Sequence, residues 1–202
     1  MVHIFDILFP PREDEITLRG ISPENFLLLS MPRLAPVTRP GTVTLLSFSN
    51  PYVRAAVHEA KYHGNTYACK LLGLVLSTYI RGVAEHHLHL IMVPIPLGSA
   101  RRRERGFNQT EKIVRQAVKE CGGAIDTRLL KRTRETVSQV SLPFQKREEN
   151  MRGAFVAIRP ANPTDTYIIL DDVTTTGATL QAAIDALQAG GAEHIIPIAL
   201  AH

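Results

Sequence analysis

Cysteine is nearly absent from this chain: Cys69 and Cys121 are the only two among 202 residues, and they do not form a CxxC pair. That excludes a disulfide framework and a cysteine-based zinc site, and it fits a reducing compartment, so a cytoplasmic protein is expected. Tryptophan is missing altogether. Long apolar runs are missing too. A membrane-spanning helix needs about twenty consecutive apolar residues, and stretches such as Phe26–Leu29 and Leu88–Pro96 fall far short, so no membrane insertion is expected. The first residues, MVHIFDILFPPREDE, lack a basic start and are interrupted by His3 and Asp6, which argues against a signal peptide. Two nucleotide signatures are also lacking. Without G-x-x-x-x-G-K-[ST] there is no phosphate-loop NTPase, and without G-x-G-x-x-G there is no dinucleotide fingerprint.

What is present describes a globular α/β chain. Apolar residues make up 45% and charged residues 21%, an ordinary balance for a packed domain. The net charge of +4 is unevenly spread: residues 101–152 hold 14 of the 23 Lys+Arg against 7 of the 19 Asp+Glu, so the other 150 residues are net −3. The basic region calls for an anionic partner, either a phosphate, a nucleotide or a nucleic acid.

Prolines at 10, 11, 23, 32, 36 and 40 break up residues 1–48, where only Phe26–Leu29 and Val43–Phe48 suggest short strands or turns. A helix is predicted from Asn50-Pro51, with Asn as cap and Pro in the first turn, to Gly64. A second helix spans about 66–81. Leu90–Pro96 reads as a strand buried on both faces, LGSARRRERG as a loop, and about 108–120 as a helix with Asn108 as cap and Phe107 in the core. Short strands are expected near 125–130 and 154–158, and strong ones at Tyr167–Leu170 and Ile195–Leu200. Pro197 suggests that the last of these lies at a sheet edge. The helix between them, about 177–189, carries Leu180, Ala183, Ile184 and Leu187 on one face. Strands alternating with helices give an open, mainly parallel α/β sheet flanked by helices, whose ligands sit beyond the carboxyl ends of the strands. Two units are expected, a small N-terminal extension over 1–48 and the α/β domain over 49–202.

The densest chemistry lies in IILDDVTTTGAT, Ile168–Thr179. Val173, Thr174, Thr175, Thr176, Gly177, Ala178 and Thr179 stand where a helix begins, and free N–H groups with the positive helix end favour a phosphate there. Gly177 lets backbone approach an anion, and the hydroxyls add donors. Asp171 and Asp172 close the strand before it. Neighbouring residues on a strand point oppositely, so one carboxylate is expected toward a ligand and the other toward loop or solvent. Carboxylates accept from sugar hydroxyls and bind Mg²⁺. The plain alternative is helix capping beside a solvated strand end.

This segment resembles the phosphoribosyl pyrophosphate (PRPP) motif of type I phosphoribosyltransferases. With VPIPLGSARRRERGFNQTE (Val93–Glu111), RTRETVSQVSL (Arg132–Leu142), KREENMRGAF (Lys146–Phe155) and AKYHGNTYACKLLG (Ala60–Gly73), it is similar to the ComF family, named for competence for DNA uptake. The likeness covers about residues 52–202. Members usually carry a four-cysteine zinc module after an LLFPP-like start. Here ILFPP (Ile7–Pro11) has no cysteine behind it until Cys69, so no zinc is expected.

The resemblance implies a type I phosphoribosyltransferase-like fold. Residues Thr174–Thr179 would cradle a 5′-phosphate, and Asp171 and Asp172, the expected catalytic pair, would meet the ribose hydroxyls. The turn Leu97, Gly98, Ser99, Ala100 would hold pyrophosphate, and Arg101, Arg102 and Arg105 suit that task. Mg²⁺ would come with the PRPP, with Asp171 or Asp172 as ligands. Segment 132–152, with Arg132, Arg134, Lys146 and Arg147, corresponds to a mobile lid, or else to an exposed linker. The reaction implied is displacement at ribose C1 with pyrophosphate leaving. His86, His87 and His89 read as a loop before a strand rather than a metal site. The competing reading is a non-catalytic protein that handles single-stranded DNA or senses PRPP. The basic region supports it, but that region's only aromatics are Phe107 and Phe144, with Phe155 just beyond it, few for base stacking.

Overall fold

The apolar runs become the centre of one sheet. A computed structural model describes residues 12–84, 89–134 and 146–202. Its six-stranded sheet has the order β1-β2-β8-β7-β3-β4, with β1 Arg33–Ala35, β2 Thr42–Leu46, β3 Leu90–Pro94, β4 Ala124–Ile125, β7 Thr166–Val173 and β8 His194–Ala201. Only β1 and β2 pair antiparallel; every other pairing is parallel. The chain is thus α/β with a mostly parallel sheet. A separate two-stranded sheet joins β5 (Leu130–Arg132) to β6 (Phe155–Ala157). The expected strand near 125–130 is therefore two short strands in different sheets.

Strand β7 shows why the sheet is covered on both sides. Ile168 and Leu170 enter one core with Val53, Leu72, Val75 and Val114, while Tyr167 and Ile169 enter the other with Leu180, Ala183 and Leu187. Alternate residues of a strand feed opposite faces. The first face carries α3 (Pro51–His58), α4 (Thr66–Ala84) and α6 (Gln109–Cys121); the second carries α8 (Ala178–Ala189). Short helices α1 (Glu13–Arg19) and α2 (Pro23–Leu27) add Leu18 and Phe26 to the first core. Gly73 of α4 is required for packing: a Cβ there would stand 2.7 Å from the Gln116 Cβ, so α4 and α6 touch at bare backbone.

Several expectations change in the fold. Pro197 lies in an interior strand, opposite Ile169, with β2 on the other side of β8. Burial of both faces of β8 outweighs one missing donor, which costs about 1 kcal/mol. LGSARRRERG is not a loop throughout: Ser99–Arg105 forms α5, ended by Gly106 at φ +76°. Its Ala, Arg and Glu residues are good helix formers, and Gly98 supplies the extended cap. Phe26 sits in helix α2 rather than in a strand. The predicted division at residue 48 falls just after β2, a strand of the main sheet, so residues 33–46 and the later elements share one sheet.

The helix from Asn50 begins as expected, with the Asn50 side chain accepting from Tyr52 and Val53 N–H. It then widens into a π-helical turn, Glu59–His63, that Gly64 closes at φ +57°. Helix α4 runs past Gly82, whose added Cβ would meet nothing. His86 and His87 lie outside the described residues. So do residues 135–145 of the expected lid. Lys146 opens α7 (Lys146–Met151). Among the described residues no helix is long and apolar enough to cross a membrane.

Candidate anion-binding cleft at the strand ends

The carboxyl ends of β3 and β7 open into a cleft of about 450 Å³. Expected site residues Leu97, Arg101, Arg105, Asp171, Asp172, Val173, Thr175 and Thr179 all border it. Lys61, Tyr62, Gln109 and Arg132 join them from other elements. Among the described residues on its wall, the cations Lys61, Arg101, Arg105 and Arg132 outnumber the carboxylates Asp171 and Asp172. The wall's charge balance is therefore positive, which suits an anion.

The arginines sort by helical geometry. Arg101 and Arg105 are four apart on α5 and share the face toward the cleft. Arg102 and Arg103 are exposed and lie off that wall. Gly98, Ser99 and Ala100, expected to hold pyrophosphate, form the cap and first turn of α5 and do not border the cleft. Of the lid arginines, Arg132 borders the cleft and lies 5.6 Å from the Phe155 ring centroid, while Arg134 donates to the Asn150 and Arg152 carbonyls at 2.9 Å.

The threonines also divide. Thr175 and Thr179 border the cleft. Thr174 is buried and its N–H donates to the Ala201 carbonyl at 3.0 Å; the buried Thr176 hydroxyl accepts from Ala178 N–H at 3.3 Å. Gly177, at φ +75°, is approached by the chain itself: a Cβ there would stand 2.4 Å from the Val37 carbonyl oxygen. The glycine thus lets residues 37–38 close over the start of α8. Thr176 and Ala178 line a second groove on that far side, with Arg39, Arg152 and Gln181.

Both carboxylates border the cleft, not one alone, because it sits over the strand end and reaches both of its faces. Asp172 is buried and well held. Its Oδ2 accepts from Gln109 Nε2 at 3.0 Å with Lys61 Nζ at 3.6 Å, and its Oδ1 accepts from Val173 N–H at 2.8 Å. The Asp171 carboxylate accepts from the Asp172 N–H, at 2.9 Å. Burial first, and the adjacent Asp172 carboxylate second, push its pKa up to about 8, while Lys61 pulls the other way. A carboxyl of raised pKa beside a firmly held carboxylate is an arrangement that suits a hydroxyl or cation.

Gln109 extends this chain of contacts, since its Oε1 accepts from Arg105 Nη1 at 3.3 Å. Asn108 places it: the Asn108 side chain caps α6 at Thr110 N–H and donates to the Ile95 carbonyl at 2.9 Å. Phe107 is half-buried, with Lys112 Nζ 4.5 Å from its ring centroid. Lys61, Tyr62 and Gln109 are the site residues that sequence reasoning missed. Their only signal was their place in the segments AKYHG and RGFNQ.

No family model matches the chain. Curated proteins do. The chain is 30% identical over 145 residues to the "DNA utilization protein YhgH" of Salmonella typhimurium, covering 70% of this chain and 63% of that protein. It is 26% identical over 144 residues to "Competence protein F" of Haemophilus influenzae, covering 69% and 63%. It is 27% identical over 153 residues to the Escherichia coli K12 protein named as in Salmonella, covering 74% and 66%. The chain thus spans less than two thirds of the length of these relatives.

Proposed function

We propose, from the premise that this chain belongs to the ComF family, that its cleft binds PRPP or a closely related sugar phosphate. One observation carries the reading: Asp171, Asp172, Thr175, Thr179, Arg101 and Arg105 border a single cleft from separate segments. Thr175, Thr179 and the N–H groups at the start of α8 suit the 5′-phosphate. Asp171 and Asp172 suit the ribose hydroxyls. Arg101 and Arg105, on one helix face, suit the pyrophosphate.

Mg²⁺ fits the donor set, since Asp171 and Asp172 offer the hard oxygens it takes, and it would neutralise phosphate charge when bound. Transfer would break the bond from ribose C1 to the pyrophosphate oxygen as an acceptor forms its own bond to C1. The chain's part is to hold both ends of the sugar phosphate and stabilise the charge on the leaving group. Calorimetric titration of PRPP with Mg²⁺ tests the reading. Submicromolar to millimolar binding, weakened at least tenfold in Asp171→Ala/Asp172→Ala, supports it, and equal affinity in the variant refutes it.

A second reading draws on Arg102 and Arg103, exposed on α5 away from the cleft, and on the names of the relatives. It assigns these arginines to a single-stranded DNA backbone. Affinity that falls steeply with salt and drops in Arg102→Ala/Arg103→Ala supports it; no binding at low salt disposes of it.

A further inference from the structure

We propose that Lys61 is a further ligand-binding cation of this cleft, passing from Asp172 to the pyrophosphate end of the ligand, and that the buried carboxylate of Glu59 is the positioning residue that holds it ready. This rests on the sugar-phosphate reading of the cleft and assigns new residues to it.

Lys61 belongs to the π-helical turn Glu59–His63, between α3 and α4. A π turn inserts an extra residue into a helical turn and re-aims the side chains around it; such turns are rare and concentrate at functional sites. This one is anchored on both sides. Glu59 is 1% exposed, and its carboxylate accepts from Arg12 Nε at 2.7 Å, Arg12 Nη2 at 2.6 Å and Asn65 Nδ2 at 3.0 Å. Burial alone would raise its pKa, but the Arg12 fork and Asn65 overcome that and leave it below the ordinary carboxylate value. At the other end, Lys112 Nζ donates to the Gly64 carbonyl at 3.0 Å. A carboxylate taken out of water and held by a half-exposed arginine is a costly way to end a helix unless the geometry it fixes has a use.

What it fixes is the Lys61–Tyr62 pair on the cleft wall. Lys61 Nζ lies 3.6 Å from Asp172 Oδ2, longer than a hydrogen bond, and that oxygen already accepts from Gln109 at 3.0 Å. Its other described contact is the Tyr62 ring, 5.8 Å to the centroid, and Arg105 lies 5.2 Å from the same ring. Lys61 is thus a loosely held ammonium, on a flexible stem, beside an arginine of the proposed pyrophosphate wall. When Asp172 turns its lone pairs to a sugar hydroxyl or a metal ion, it has less charge to offer Lys61. A compact, mobile ammonium is suited to follow charge that grows on a departing pyrophosphate.

Two probes separate the ends of the ligand: ribose 5-phosphate, which carries the 5′-phosphate and the hydroxyls, and PRPP, which adds pyrophosphate. Both are titrated calorimetrically with Mg²⁺ into the full chain. Lys61→Gln is expected to weaken PRPP about tenfold or more while leaving ribose 5-phosphate within about threefold, and Lys61→Arg is expected to restore most of the loss. Glu59→Gln, in protein with wild-type circular dichroism, is expected to lower the ratio of PRPP to ribose 5-phosphate affinity in the same direction. PRPP affinity unchanged in Lys61→Gln overturns the assignment. Equal loss of both probes overturns it too, because Lys61 would then act through Asp172 on the ribose. An unchanged ratio in Glu59→Gln overturns the positioning role. A wild-type chain that binds neither probe removes the cleft reading itself, and this assignment with it.

Discussion

Replacing Asp171 by asparagine removes an ionisable group from a place that disfavours its charge, while keeping an oxygen that can accept from the Asp172 N–H as the carboxylate does. The ordinary carboxyl value is 3.8, and in the folded chain it is about 8. Between those values the folded protein holds a proton that the unfolded chain has released, so stability declines as pH rises through that window. Each pH unit inside it corresponds to about 1.4 kcal/mol. Asp171 keeps part of its surface in solvent, and screening there reduces the total to about 1–2 kcal/mol near pH 8. Asp171→Asn is therefore expected to melt about 2–8 °C higher than the unaltered chain at pH 8. Most of that gain should vanish at pH 5, where the unaltered chain carries the proton at little cost. Thermal unfolding followed by circular dichroism at the two pH values measures both. The same variant should bind PRPP more weakly, because asparagine is a poorer acceptor for sugar hydroxyls and Mg²⁺. A melting difference independent of pH, or a variant less stable at pH 8, would refute the account of a site held short of its partners.

Gly177→Ala is expected to lower the melting temperature by several degrees, since it combines a left-handed backbone costing about 1–2 kcal/mol with a 2.4 Å approach to the Val37 carbonyl. Phosphate affinity measured by calorimetry should fall with it as the start of α8 shifts. Asn108→Ala loses the α6 cap and the bond to the Ile95 carbonyl, a loss of about 1–2 kcal/mol by chemical denaturation. The Arg12–Glu59 pair has a carboxylate with lowered pKa, so its contribution is complete above the ordinary value near 4.5 and is lost as pH falls below it. Acid unfolding of Glu59→Gln should accordingly show a shallower pH dependence than that of the unaltered chain.

The parts of this molecule that declare themselves in sequence are those decided locally. Val93 and Ile168–Leu170 lie in unbroken apolar runs, which strands buried on both faces require, and Asn50-Pro51 sets a helix start through its own side chain. Asp171, Asp172 and the threonines stand out because so many polar groups follow a buried strand at once. What stayed hidden depends on distant neighbours. Lys61 and Gln109 become site residues only because the π-helical turn Glu59–His63 and α6 deliver them to the end of β7, 111 and 63 positions from Asp172. Pro197 misled because a proline says which donor is missing and nothing about which strands stand on either side. The four threonines looked equivalent in sequence, and only the turn of the backbone sent Thr175 and Thr179 to the cleft, Thr174 inward and Thr176 to the groove on the far side.

The strand order β1-β2-β8-β7 also has a bearing on the order of assembly. β2 comes early in the chain and β8 is the last strand described, yet β8 is the only strand that bonds β2 to the rest of the parallel sheet. As the polypeptide emerges from a ribosome, β2 can pair with β1 but has no parallel neighbour until some 150 further residues have been made, and the backbone groups on its other edge wait in solvent or in the care of a chaperone. Insertion of β8 is then the closing step that joins the two halves. A nascent chain halted at Gly190 would hold β3 beside β7 but leave β2 an open edge, the kind of surface that pairs with other chains.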